Sequence, residues 1–184
     1  MIDKWSLPAS VTINGIEYAI RSDYRAALDV LVILDDPELT DAERGPLALH
    51  VFYPDFDDMP EDSHQEAADF LRYFIAGGEL HAQQPKDKLA DWQQDFPIII
   101  SPVNRVLGFE ARAAEYVHWW TFLAAYSEIG DCFFAQVVNI RKKMREGKKL
   151  DKWERAFYKR NKAQIDLEPK ITSADIEFLK QLES

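Results

Sequence analysis

The sequence predicts a mainly α fold: an N-terminal β-hairpin, a compact multi-helix bundle, and a short C-terminal amphipathic helix. Three observations carry this reading. Asn14-Gly15 is flanked by alternating apolar residues, the pattern of a two-residue hairpin turn. From residue 22 onward, apolar residues recur at three- and four-residue intervals in segments bounded by caps, glycines and prolines. A chain of 184 residues, 47% hydrophobic and 29% charged, is long and apolar enough to bury a core without staples. The expectation is one mostly helical domain over 1–166, with 167–184 as linker and terminal helix.

In "SVTINGIEYAI" (10–20) the Asn-Gly pair suits a type I′ turn, where both central residues need positive φ. That turn sets Ile13 opposite Ile16 and Val11 opposite Tyr18. These four and Ile20 then share an apolar face, while Thr12 and Glu17 share the other. A lone hairpin is marginal in water, so its apolar face needs a cover.

Ser22 is the predicted N-cap of a helix through about Leu34, with Tyr24, Leu28, Leu31 and Val32 as its apolar residues. Thr40 and Glu43 form a capping box, in which each side chain satisfies the other's orphan amide. The helix it opens runs toward Phe52 and stops at Pro54. "DFDDMPEDSH" (55–64) reads as a solvated acidic loop; it lacks the ligand spacing of a calcium loop. The next helix turns Ala67, Phe70, Leu71 and Phe74 inward and closes at Gly77-Gly78. "GGELHAQQPKDK" (77–88) is the best linker candidate.

Between 91 and 108, Pro97 and Pro102 each remove an amide and obstruct the preceding turn, so a short or kinked helix is expected. A helix over roughly 110–128 follows. Tyr116, Trp119, Trp120, Phe122 and Leu123 form its core-facing aromatic block; Glu115, His118 and Thr121 form a narrow polar strip. Neighbouring positions on a helix point about 100° apart, so Trp119 and Trp120 predict core packing, not two walls of one ligand cage. His118 reads as a core-edge imidazole bonded to a neighbour. Asp131 is the predicted cap of a helix through about Glu146, with Phe134, Val137, Val138 and Met144 as its stripe and Gly147 as its end. A last long helix, 150–165, is expected to pack Leu150, Trp153 and Phe157 inward. "SADIEFLKQLE" then forms an amphipathic tail through Ile176, Leu179 and Leu182.

Charge is distributed unevenly. Residues 1–100 hold 20 acids against 7 bases, whereas 141–162 carry eleven bases against three acids. The net charge of −10 disfavours binding of the whole molecule to nucleic acid or acidic lipid. The basic run fits the solvated face of two helices first and an electrostatic partner surface second. It also lacks exposed interleaved aromatics for stacking on bases. One cysteine, Cys132, excludes an internal disulfide, and no apolar run reaches the length of a membrane span. The N-terminus has neither the basic flank nor the apolar stretch of a signal peptide.

Phosphate-loop, dinucleotide and nucleophile-elbow motifs are missing, and the four histidines show no metal-ligand spacing. The expectation is a protein with no catalytic residue, no cofactor and no metal.

Five blocks in order carry a family resemblance. "VTINGIEYAIRSDYR" looks like a strand, short turn and strand before an aspartate and aromatic that open a helix. "LTDAERGPLALHVFYPD" resembles an acidic capped helix ending in an aromatic or leucine and proline. "FLRYFIAGGE" is similar to an F-L-x-x-F-x-x-G-G helix end, and "LADWQQDFPIIISPVNRVLGF" to a D-F/W-x-x-D segment with its following helix. "YVHWWTFLAAY" with "VVNIRKKM" resembles an aromatic H-W-W-x-F block followed by an I/Y-R helix.

Together, residues 10–166 resemble the bacteriophage gene-product-fifteen family of tailed phages and prophages; the tail beyond Asp166 has no counterpart there. Members are encoded between the major tail protein and the tape-measure protein, where tail assembly chaperones lie, often as a frameshifted pair. The resemblance implies a non-enzymatic siphovirus assembly factor in the host bacterial cytoplasm, absent from the mature virion. Its implied partners are the tape-measure protein and the major tail protein; the uneven charge separately suggests that the basic 141–162 face contacts the acidic first half of a further copy or an acidic partner. The alternatives are a minor virion component of tail or connector, or a DNA-binding regulator. The expected partner-binding residues are Arg141, Lys142, Lys143, Arg145, Lys148, Lys149, Lys152, Arg155 and Lys159 on the basic helices, with Ile176, Leu179 and Leu182 in the tail.

Overall fold

The computed structural model describes residues 5–79 and 88–170, with Thr172 and Asp175. A two-stranded sheet is followed by eight α-helices among the described residues. The mainly helical fold with an N-terminal hairpin is as predicted. Most of the 77–88 linker, and Ile176, Leu179 and Leu182 of the predicted tail helix, lie outside the described residues. Chain contacts divide the fold into two compact units. One comprises Met1–Ala82, Tyr116–Trp120 and Pro169–Ser184; the other comprises Gln83–Glu115 and Thr121–Glu168.

In the first unit, strands β1 (Ser10–Ile13) and β2 (Ile16–Ala19) pair antiparallel, with Val11 opposite Tyr18 and Ile13 opposite Ile16. Asn14 and Gly15 both have positive φ, 49° and 82°, the type I′ geometry. Ile13, Tyr18 and Ile20 are buried, but Ile16, beside the turn, is exposed and corrects the all-buried face. Asn14 Nδ2 donates to Ser63 Oγ at 3.0 Å, tying the turn to the acidic loop.

Helix α1 (Tyr24–Leu34) is capped by Asp23, not Ser22, and the Asp23 carboxylate accepts the Arg25 amide. Its buried stripe is Tyr24, Ala27 and Val30; Leu28, Leu31 and Val32 are half-buried. Helix α2 (Asp41–Phe52) opens with the predicted Thr40–Glu43 capping box. The acidic loop forms two 3-10 turns, Phe56–Asp58 and Glu61–Ser63, and leads into α3 (His64–Ile75). There Ala67, Phe70, Leu71 and Phe74 are buried as predicted. Phe52 packs on Phe74 with ring centroids 5.0 Å apart and on Phe70 at 6.2 Å, pairings worth about 0.5–1.5 kcal/mol each beyond their burial.

The predicted helix over 110–128 begins only at α5 (Trp119–Ser127). Upstream, residues 111–115 turn and bend, and His118 forms an antiparallel bridge with Asp23 at the start of α1. The Val117 amide donates to Asp23 Oδ2 at 2.9 Å, and the Trp119 amide donates to the Ser22 carbonyl at 2.8 Å. These tertiary acceptors take amides that a longer helix would use itself. Tyr116, expected in the core, is 55% exposed, and its hydroxyl meets Ser22 Oγ at 2.8 Å.

His118 starts α5. Its Nδ1 accepts the Trp120 amide at 3.0 Å, so the ring proton lies on Nε2 and is donated to the Pro8 carbonyl at 3.1 Å. Burial pushes the imidazole pKa below its ordinary 6.5, against the opposing pull of the Pro8 bond. The unfolded ring takes a proton below about pH 6.5 while the folded ring resists. The stability contributed by His118 is therefore complete above that pH and is lost as pH falls toward the folded value. Urea denaturation at about pH 7.5 and about pH 5.5 is expected to show a loss on acidification that is reduced in His118→Asn.

In the second unit, α4 (Trp92–Leu107) is one continuous helix of 16 residues containing both prolines, correcting the expectation of a short element. Asp91 caps it through the Gln93 and Gln94 amides. Proline 97 leaves the Gln93 carbonyl without its helical donor, but both residues are exposed and water can bond that oxygen. Gly108 ends the helix at φ 78°.

Helix α6 (Phe133–Arg145) is capped by Cys132, whose Sγ accepts the Ala135 amide, not by Asp131. The predicted 150–165 helix is two, α7 (Lys152–Arg160) and α8 (Lys162–Ile165), parted at Asn161. The Asn161 side chain donates to the Phe157 carbonyl at the end of α7. Val137, Ile140, Phe157 and Ile165 form a core cluster, with Ile98, Leu150 and Tyr158 against it.

Candidate partner-binding surface

The recognisable sequence blocks turn out to be joints. In the first unit, the H-W-W block meets the F-L-x-x-F-x-x-G-G helix end. The last carbonyls of a helix have no donor within it, and here the two indoles assist. Trp119 Nε1 donates to the Ile75 carbonyl at 3.0 Å, and Trp120 Nε1 to the Phe74 carbonyl at 2.8 Å. Gly78 sits so close to Trp120 that a Cβ there would lie 3.0 Å from the ring, at a φ of +88°. Trp119, 1% exposed, and Phe122 are buried, whereas Trp120 and Leu123 are half-buried.

In the second unit, the D-W-x-x-D block meets the I-R block. Asp95 and Arg141 are both buried and pair twice, at 2.6 and 2.9 Å. The other three guanidinium hydrogens go to the carbonyls of Ile165 (2.7 Å), Leu89 (3.0 Å) and Gln164 (2.7 Å). All five donors are used. Asp95 Oδ2 also accepts the Asp91 amide at 2.9 Å. Arg141 is thus not a surface cation, which corrects its place among the expected partner-binding residues. A buried guanidinium demands a bidentate acceptor, and Asp95 supplies it.

The rest of the basic run divides by partner. Lys143 pairs with the buried Glu154, and Lys148 with Glu146 at 2.7 Å. The Lys143 ammonium and the Asp151 amide hold the Glu154 carboxyl below its usual range. Arg145 donates to the Lys88 carbonyl at 2.9 Å, and Arg155 to Leu150 at 2.5 Å. Lys142, Lys149, Lys152, Lys159 and Arg160 are exposed. Lys152, Arg155 and Lys159 follow one another at helical spacing along one face of α7.

Two further features were not legible beforehand. Trp153, expected inward, is 53% exposed and stacks on Phe157 at 5.2 Å. Phe133, also exposed, meets the same Phe157 at 5.5 Å. Aromatics are therefore exposed beside the cations after all. A helical spacing of tryptophan and phenylalanine reads as a core stripe, and only the packed neighbours reveal which ring stays outside. The second feature is a shallow cavity of about 170 Å³. Leu89, Met144, Ile165 and Leu167 give it apolar walls, with Lys88, Arg145 and Asp166 at its polar side. Met144, expected in the core, is 42% exposed there.

Among the described residues, no group of three or more His, Cys, Asp or Glu could hold a metal ion, and no helix is long and apolar enough to cross a membrane. The family model described as "Bacteriophage Gp15 protein" matches residues 2–167. No curated protein and no solved structure matches the chain.

Proposed function

The chain belongs to the bacteriophage Gp15 family, and on that premise we propose that it is a non-enzymatic tail assembly chaperone that keeps a tape-measure protein soluble and helps bring tail-tube subunits to it. One observation supports this reading beyond membership. The recognisable blocks are taken up by internal joints, which leaves exposed apolar side chains set among cations as the working parts. A tape-measure chain presents long amphipathic helices before the tube encloses it, and a chaperone must cover their apolar stripes reversibly.

The cavity beside Met144 suits such a partner. Its volume matches a void able to take a benzene-sized group, and methionine adapts to differing side chains. The chaperone acts in the host bacterial cytoplasm and stays out of the finished virion. Co-expression with a tape-measure protein is expected to raise that protein's soluble fraction several-fold. Met144→Asp, whose circular dichroism should match the native protein, is expected to remove most of the gain. No gain with the native chain would defeat the reading. Stoichiometric amounts in purified virions, measured by mass spectrometry, would instead make the protein a tail or connector component.

A further inference from the structure

We infer that the aromatic and basic face of α6 and α7 receives the acidic segment around 55–62 of a second copy, joining copies head to tail. This contact stands apart from the chaperone reading and uses a different surface from the Met144 cavity.

The receiving face has an apolar centre and a charged rim. Trp153 and Phe133 flank Phe157 and leave much of their rings in water, 53% and 38% exposed. Among the described residues, Lys149, Lys152 and Arg160 carry no ion pair. An aromatic anchor inside a polar rim is the usual anatomy of a protein contact.

The donor is equally specific in charge. Residues 45–71 contain seven acids and no lysine or arginine. All seven acids are exposed. Asp55, Asp58 and Glu61 form no ion pair among the described residues. The segment is also built, not loose. Phe56 lies between the His50 and His64 rings, at 5.7 and 4.8 Å, and Met59 is buried. Two 3-10 turns fix its course. Acids held in a set geometry lose less freedom when they dock.

Charge selects the occupant. The five acids of residues 55–62 answer the exposed Lys149, Lys152 and Arg160, and every copy brings both surfaces to any concentration at which it is made. Nucleic acid fits less well, since the chain as a whole carries −10. Because the two surfaces differ, each contact leaves one of each kind open, so copies close into a ring or extend.

Sedimentation velocity of the full chain at about 50 mM and about 500 mM salt tests this. Association is expected at low salt and monomer at high salt. Lys149→Glu with Lys152→Glu and Arg160→Glu should give monomer at both, as should Asp55→Lys with Asp58→Lys and Glu61→Lys. A chain carrying both sets should associate again. Trp153→Ser, which leaves every charge in place, should weaken association at least tenfold. Monomer throughout, failure of the combined reversal to restore association, or an unchanged Trp153→Ser each overturns the inference. So would retardation of a single-stranded oligonucleotide that depends on Trp153, which would give the face to nucleic acid.

Discussion

Asp95→Ala is expected to destabilise the protein by about 3–5 kcal/mol, because it strands a buried guanidinium without its counter-charge. Arg141 and Asp95 are 5% and 1% exposed at their side chains, so water cannot replace the lost carboxylate without opening the second unit. The three carbonyls that also hold Arg141 fix it in place and cannot neutralise it. Urea denaturation should show a lower midpoint with little change in slope. Asp95→Leu with Arg141→Met removes the stranded charge but orphans the three carbonyls and the Asp91 amide, so it should recover only part of the loss. An Asp95→Ala protein within about 1 kcal/mol of the native one would show that the pair does not hold the unit together.

Trp119→Ala is expected to cost about 3–5 kcal/mol, the range for deleting a large buried aromatic. Trp119 is 1% exposed and its indole closes the end of α3, so both a cavity and an orphan carbonyl result. Trp120→Phe keeps most of the ring volume and loses chiefly the bond to the Phe74 carbonyl, a change worth about 1 kcal/mol. Thermal denaturation should place the two variants in that order. Equal effects would mean that hydrogen bonding, not burial, dominates at the pair.

Much of the local chemistry was legible. The Asn14-Gly15 turn sets its own register, the Thr40 box needs only residues three apart, and α3 shows its four buried positions by period alone. The caps of α1 and α6 fell one residue from the expected positions, and the larger misses depended on distant partners. The helix at 110–128 starts late because Ser22 and Asp23 capture amides 97 and 94 residues further along, respectively. Arg141 looks like any other cation in "NIRKKMR" until Asp95, 46 residues earlier, is placed beside it. The candidate surface was legible as a basic run but not as an aromatic one. Spacing put Trp153 and Met144 inside, and only tertiary packing leaves them out.

The Arg141–Asp95 clasp also changes what a distant molecule senses. A cation neutralised at contact distance behaves toward anything several ångströms away as a dipole, whose potential dies off faster than that of a lone charge. Lys143 beside Glu154 is muted in the same way. The far field guiding an approaching acidic surface thus originates chiefly from cations such as Lys149, Lys152, Lys159 and Arg160. Diffusional capture rates should track these positions rather than the formal tally of the run.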